Sequence, residues 1–159
     1  MAARGVSATV DGTTTAARSR AWAVATLTDP VRFYPKSGPL PGVVGVRHQT
    51  GDWDTVGRSR RLLLSDGGSV VERLETVVPD ELFVYKLTQF RRLLGRLVDH
   101  GRAEWRFSTE GTGSRIRWTY TFFPRRGSHV AVTLIVRLLW RRYMERVLAD
   151  ILTEAGRSD

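Results

Sequence analysis

The strongest pattern in the chain is an alternation of apolar and polar positions in its second half. Ala103, Trp105 and Phe107 share one parity against Glu104 and Arg106; Ile116, Trp118, Tyr120 and Phe122 oppose Arg115, Arg117, Thr119 and Thr121. A period of two buries the aromatic set and leaves the charged set in water, which predicts antiparallel strands with one wet face. After them the period lengthens. Over 130–155, Val136, Leu139, Trp140, Tyr143, Met144, Val147 and Ile151 fall on one side of a helix, with Arg141, Arg142 and Glu145 on the other. At ~1.5 Å per residue such a helix is ~40 Å long, and its apolar side needs a sheet to cover it.

Upstream, residues 6–10 read as a strand that the polar run 11–15 ends, and 16–27 as a helix with Ala21, Trp22 and Val24 inward. Asp29-Pro30 supplies an N-cap and a first-turn proline for a short second helix over 31–34, and the prolines and glycines of 35–42 make a loop. Strands follow at 43–50 and 58–65, joined by a turn at Gly51 and Asp52. Asp66-Gly67 is a two-residue type I′ signal that pairs Leu63 with Val70 and Arg61 with Glu72. Pro79-Asp80-Glu81 turns the chain into the strand 82–88, completing a meander. Residues 89–99, with Leu93, Leu94 and Leu97 among arginines, fit a helical turn or a lid, and Gly111-Thr112-Gly113 is a hairpin turn.

A length of 159 residues suits one domain, expected over 1–159 with an ordered part from about 5 to 155 and a frayed tail from Gly156. There is no cysteine, so disulfides, thiolate metal sites and a thiol nucleophile are excluded. Neither a secretory signal over residues 1–6 nor a run near the ~18 apolar residues of a membrane span is present, and a cytoplasmic location is expected. The formal charge is +9, from 25 basic and 16 acidic residues. Because these bases are spread along the chain and all but Lys36 and Lys86 are arginine, nucleic acid is not the expected partner; oligomeric state stays open.

His48, His100 and His129 lie on separate segments without ligand spacing, so neither metal nor cofactor is expected, and no nucleophile elbow appears. Arg61 opposite Glu72 is the sharper constellation. An ion pair facing an apolar interior is satisfied mutually or by a ligand oxygen. It could equally close one end of the sheet, and since Leu62, Leu64 and Val71 make the other face as apolar, the parity that would put both in water stays open.

The order of elements resembles the START-like (SRPBCC) helix-grip superfamily, which includes birch-pollen-allergen-type proteins and the polyketide cyclase/dehydrase family. Local matches carry the resemblance: Asp29-Pro30, the stretch 57–61 leading into Asp66-Gly67, Glu72-Arg73-Leu74, Tyr85, Trp105-Arg106-Phe107, the stretch 111–115, Trp118 to Phe122, and the closing helix from Trp140. It covers almost the whole chain. The fold it implies is α+β: a curved antiparallel sheet of six to seven strands around a long C-terminal helix, with two short helices after the first strand. A cavity between sheet and helix is implied with it. Glu72 carries over, because its stretch is similar to one in plant hormone receptors of the superfamily where the glutamate reaches the cavity.

By strand parity Arg61, Leu63, Phe83, Tyr85 and Leu87 share the side of Glu72, and Trp118, Tyr120, Trp140, Tyr143, Met144 and Val147 could complete the lining. For Trp118, as for Trp105, a core role competes; Tyr85 and Tyr143 offer hydroxyls that need partners. The expected function is binding of a hydrophobic or polycyclic small molecule. The alternatives are an aromatase/cyclase acting on a poly-β-keto chain with help from Arg61, Tyr85 or His48, and an interaction module using the basic surface.

Overall fold

The computed structural model describes residues 4–157. Strand β1 (Val6–Thr14) leads to helix α1 (Arg18–Leu27) and a one-turn 3₁₀ segment (Pro30–Arg32). Strands β2 (Val43–Arg47), β3 (Ser59–Leu64), β4 (Ser69–Val78) and β5 (Leu82–Thr88) follow, then the short helix α2 (Leu93–Leu97) and the long strands β6 (Val98–Glu110) and β7 (Gly113–Pro124). The C-terminal helix comprises α3 (His129–Ile135), a π-helical segment (Val136–Trp140) and α4 (Arg141–Ala155). All strand pairs are antiparallel and the order is β1-β7-β6-β5-β4-β3-β2, so the first strand closes against the last.

Several elements follow from local chemistry. Asp29 caps the 3₁₀ turn, its Oδ1 accepting from Val31 N at 3.0 Å. The polar run 11–15 does not end β1. Paired with β7 it continues to Thr14, because its polar side chains face water: Thr9 and Thr119 hydroxyls meet at 2.9 Å and Asp11 pairs with Arg115 at 3.1 Å. Gly12 gives α4 room, since a Cβ there would lie 2.5 Å from Leu152 Cδ1. Strand β2 is shorter than expected and stops at Arg47, where His48 turns to a φ of 54°. The register shifts in β2, β4 and β6 are irregularities of the kind that bend a sheet.

The turn at Asp66-Gly67 corrects the expected register. Gly67 N donates to Leu64 O and Leu64 N to Gly68 O, with Gly67 at a φ of 82°, which makes a three-residue loop with a glycine bulge in place of the two-residue I′ turn. Leu62 therefore faces Val70 and Arg60 faces Glu72, while Arg61 is opposite Val71 and Leu63 opposite Ser69. One residue of register exchanges the faces of the strand. Of the tail from Gly156, Gly156 N and Arg157 N still bond to carbonyls of α4; Ser158 and Asp159, like Met1 to Ala3 of the N-terminal stretch, lie outside the described residues.

Candidate functional site: a cavity under the first half of the C-terminal helix

Between the concave sheet face and the helix lies a cavity of about 360 Å³. Its sheet wall is formed by Leu62, Val70, Glu72, Phe83, Tyr85, Leu87 and Tyr120, and its helix wall by Val132, Ile135, Val136, Leu139, Trp140 and Tyr143. Tyr34, Trp53, Phe90 and the leucines of α2 close the remaining sides, so residues 89–99 supply both a helical turn and part of the cover. That volume lies within the ordinary range of small-molecule clefts.

The polar chemistry is concentrated at one place. Arg60 Nε donates to Glu72 Oε2 at 2.8 Å, with both side chains nearly fully buried, and the guanidinium lies 4.0 Å from the centre of the Trp53 ring. Hydrogen bond, opposite charge and aromatic face together compensate the desolvated pair. Around it stand the phenols of Tyr34, Tyr85 and Tyr120. Burial, then the Glu72 carboxylate, raises the Tyr85 pKa far above the ordinary phenol value, against weaker pulls from Trp105, Arg60 and Tyr34. Burial followed by the charges of Tyr85 and Glu72 likewise holds Tyr34 and Tyr120 well above theirs. All three are neutral donors at physiological pH. The indole N–H groups of Trp53 and Trp140 are buried without a partner.

Of the residues expected to line a ligand site, Glu72, Phe83, Tyr85, Leu87, Tyr120, Trp140 and Tyr143 stand on the cavity wall. Arg61 does not: its guanidinium bonds Ser69 Oγ and Gln89 Oε1 on the far side of the strand, and Leu63 shares that side, both displaced by the bulged turn. Trp118, Met144 and Val147 are wholly buried but lie beneath the solid part of the core, Trp118 stacked on Trp105 at 4.3 Å. Tyr143 has already spent its hydroxyl on Pro35 O at 2.9 Å, which ties α4 to the 35–42 loop; its pKa is pushed up to about 12 by burial. His48 is exposed at the end of β2.

Arg60, Trp53 and Tyr34 also stand at the site, beyond the residues expected from the sequence. A lone tryptophan among Gly51, Asp52, Asp54 and Thr55 was the available signal for Trp53, since a large aromatic in a polar loop has to find a place to bury itself. The five-residue π segment, at whose end Arg141 N reaches back to Val136 O, lies beside the cavity, a location such segments often share with functional sites. Among the described residues no group of three His, Asp or Glu side chains could hold a metal ion, and no helix is long and apolar enough to cross a membrane.

In comparisons with known proteins, the family model described as polyketide cyclase / dehydrase and lipid transport matches residues 7–156. No curated protein matches the sequence. Among solved structures, Ara h 8.0201 is similar over 94% of this chain and 99% of its own, with 12% identity and a TM-score of 0.64. Protein MLL2253 from Mesorhizobium loti is similar over 93% and 97%, with 12% identity and a TM-score of 0.64. XoxI from Bacillus cereus is similar over 96% and 99%, with 15% identity and a TM-score of 0.63. At such identities the structures speak for the helix-grip fold alone, and the family model speaks for descent: the chain belongs to the polyketide cyclase / dehydrase and lipid transport family.

Proposed function

We propose that the protein binds an uncharged, largely apolar small molecule in this cavity, with hydrogen-bond acceptors of the ligand turned toward Tyr34, Tyr85, Tyr120 and Arg60. The observation that carries this reading is the pairing of an apolar cavity of about 360 Å³ with a polar end that is rich in donors yet electrically balanced. Glu72 already neutralises Arg60, so a ligand carboxylate would enter without a free countercharge and pay for its desolvation. A ketone, ester or ether oxygen meets phenolic and indole donors at no such cost. The family's association with polyketide cyclisation and lipid transport supports the same general class.

An aromatase/cyclase reading needs a group that moves protons at the reacting carbon. Of the three candidates only Tyr85 lines the cavity, and its raised pKa keeps it protonated, a hydrogen-bond donor with no phenolate available to act as a base at neutral pH. Binding is therefore the better reading. Titration with Nile red, a neutral probe, and with cis-parinarate, a carboxylate of comparable apolarity, tests it at pH 8. The expected result is saturable Nile red binding at least tenfold tighter than that of the carboxylate, weakened when Tyr85 and Tyr120 are both changed to phenylalanine. Equal or reversed affinities would remove the claim of a neutral ligand, and no binding of either would point to a closed interior.

A further inference from the structure

The segments 89–98 and 124–142 together carry eight arginines and no carboxylate. These segments adjoin in space: Arg125 N donates to Leu97 O and Arg125 Nε to Gly95 O, both at 2.8 Å, which fastens α2 to the turn that precedes α3. All eight arginines, Arg91, Arg92, Arg96, Arg125, Arg126, Arg137, Arg141 and Arg142, are exposed. Arg125 pairs with Asp99 and Arg141 with Glu145; the others make no ion pair among the described residues. A surface this basic within one corner of the fold repels itself unless something anionic covers it.

The same corner exposes aliphatic side chains that a water-facing helix has no use for. Val130, Leu134 and Leu138 are 72%, 52% and 60% exposed, and their spacing of four lays them along one flank of α3 and the π segment. Arg137, Arg141 and Arg142 follow them at three or four residues, so guanidinium groups border the apolar strip. Leu93 of α2, 66% exposed, also lines the cavity, so the cavity reaches the surface at α2.

We propose that this corner, α2 together with the outer flank of α3, docks on an anionic lipid bilayer, with the aliphatic strip in the acyl boundary and the arginines on lipid phosphates. The inference extends the ligand-binding reading by giving the cavity a source or destination for an apolar ligand. An apolar strip edged by basic residues is the arrangement that lies in a membrane interface. The patch lacks the exposed aromatic anchors that dominate protein interfaces, and it has no aromatic platform for stacking nucleic acid bases. The leucines at its centre would add nothing to phosphate binding by a polynucleotide.

Flotation of the full chain with vesicles of equal parts phosphatidylglycerol and phosphatidylcholine, against pure phosphatidylcholine, tests the proposal. Binding to the anionic vesicles is expected, with little to the neutral ones and a strong loss between about 50 mM and about 500 mM salt, where the screening length falls from about 14 Å to about 4 Å. Arg126→Gln with Arg137→Gln should weaken it about 25-fold, roughly fivefold for each charge. Leu134→Ser with Leu138→Ser should weaken it at least tenfold while leaving Nile red binding intact, which shows that the variant is folded and keeps its cavity. Wild-type protein that ignores anionic vesicles while it still binds Nile red overturns the docking proposal and spares the ligand reading. So does a dimer, seen by sedimentation, that the leucine variant abolishes without any vesicle binding, because the strip would then belong to a second copy of the chain.

Discussion

The two halves of the C-terminal helix share one sheet and behave differently. Under α4, Met144, Val147, Leu148 and Ile151 are buried to 2% exposure or less, and Trp118 stacks on Trp105 at an interplanar angle of 13°. Under α3 and the π segment the sheet wall is Leu62, Glu72, Tyr85 and Leu87, and an open volume separates it from Val132, Val136 and Leu139. On the outer side α4 presents charged and polar side chains, whereas α3 presents Val130 and Leu134. The difference divides the fold: one half is packed solid and supplies most of the packing that holds the sheet in shape, whereas the other leaves open room between helix and sheet.

The largest effect that tests this division is Trp118→Ala. Removing a fully buried indole from the solid half should cost about 3–5 kcal/mol and lower Tm by roughly 10 °C, measured by thermal unfolding. Leu62→Phe, which adds atoms on the cavity wall, should change stability by less than about 1 kcal/mol and instead weaken Nile red binding, since free volume absorbs the ring. Equal destabilisation by the two would mean that the cavity side is packed as tightly as the other.

The next effect separates neighbouring arginines. Arg60→Met leaves Glu72 buried without its partner and should cost about 3–5 kcal/mol, whereas Arg61→Met gives up only its bonds to Ser69 and Gln89, worth about 1 kcal/mol or less. Denaturant unfolding of the two variants measures the contrast. If Arg61→Met proved the costlier, the register of the β3–β4 hairpin would be the two-residue turn after all. Adding Glu72→Leu to Arg60→Met should restore stability while removing the charged pair and leaving the phenols at the cavity's polar end.

How much of this the sequence displays depends on how unambiguous each pattern is. Trp105, Trp118, Tyr120 and Phe122 alternate with charged or hydroxyl residues, so their faces can be assigned without a structure, and the long helix declares its buried side in the same way. In β3 the run Leu62-Leu63-Leu64 has no polar member to mark the wet face, and the register then hangs on whether Ser65 belongs to the strand or the turn. It belongs to the turn, and Arg60 takes the place expected of Arg61. The cavity itself leaves no mark in the pattern, because a residue that lines a void and one that fills a core are equally apolar: Trp118 and Met144 fit the lining pattern as well as Phe83 and Leu87 do. Trp53 and Tyr34 reach the site from loops, where no periodicity exists to point them inward.

The smallest effect at neutral pH belongs to the tyrosines, and it grows only in alkali. All four tyrosines of the chain have raised pKa values in the folded protein, Tyr143 to about 12 and Tyr34, Tyr85 and Tyr120 well above the ordinary phenol value, in each case chiefly through burial. In the unfolded chain they titrate near 10. Below about pH 10 both states carry the proton and stability is untouched; above it the unfolded chain releases protons that the folded protein retains, so stability falls as pH rises from about 10 toward the folded values. Absorbance at 295 nm should therefore show almost no tyrosinate in the folded protein at pH 11, against nearly full ionisation in denaturant. Tyr85→Phe should leave Tm close to wild type at pH 7 and make its decline between pH 10 and 11 shallower, because one proton fewer is released on unfolding. A normal titration near pH 10 in the folded state would mean that water reaches the phenols freely, and the cavity would then be a wet cleft with no preference for the neutral, acceptor-bearing ligand its donors would otherwise select.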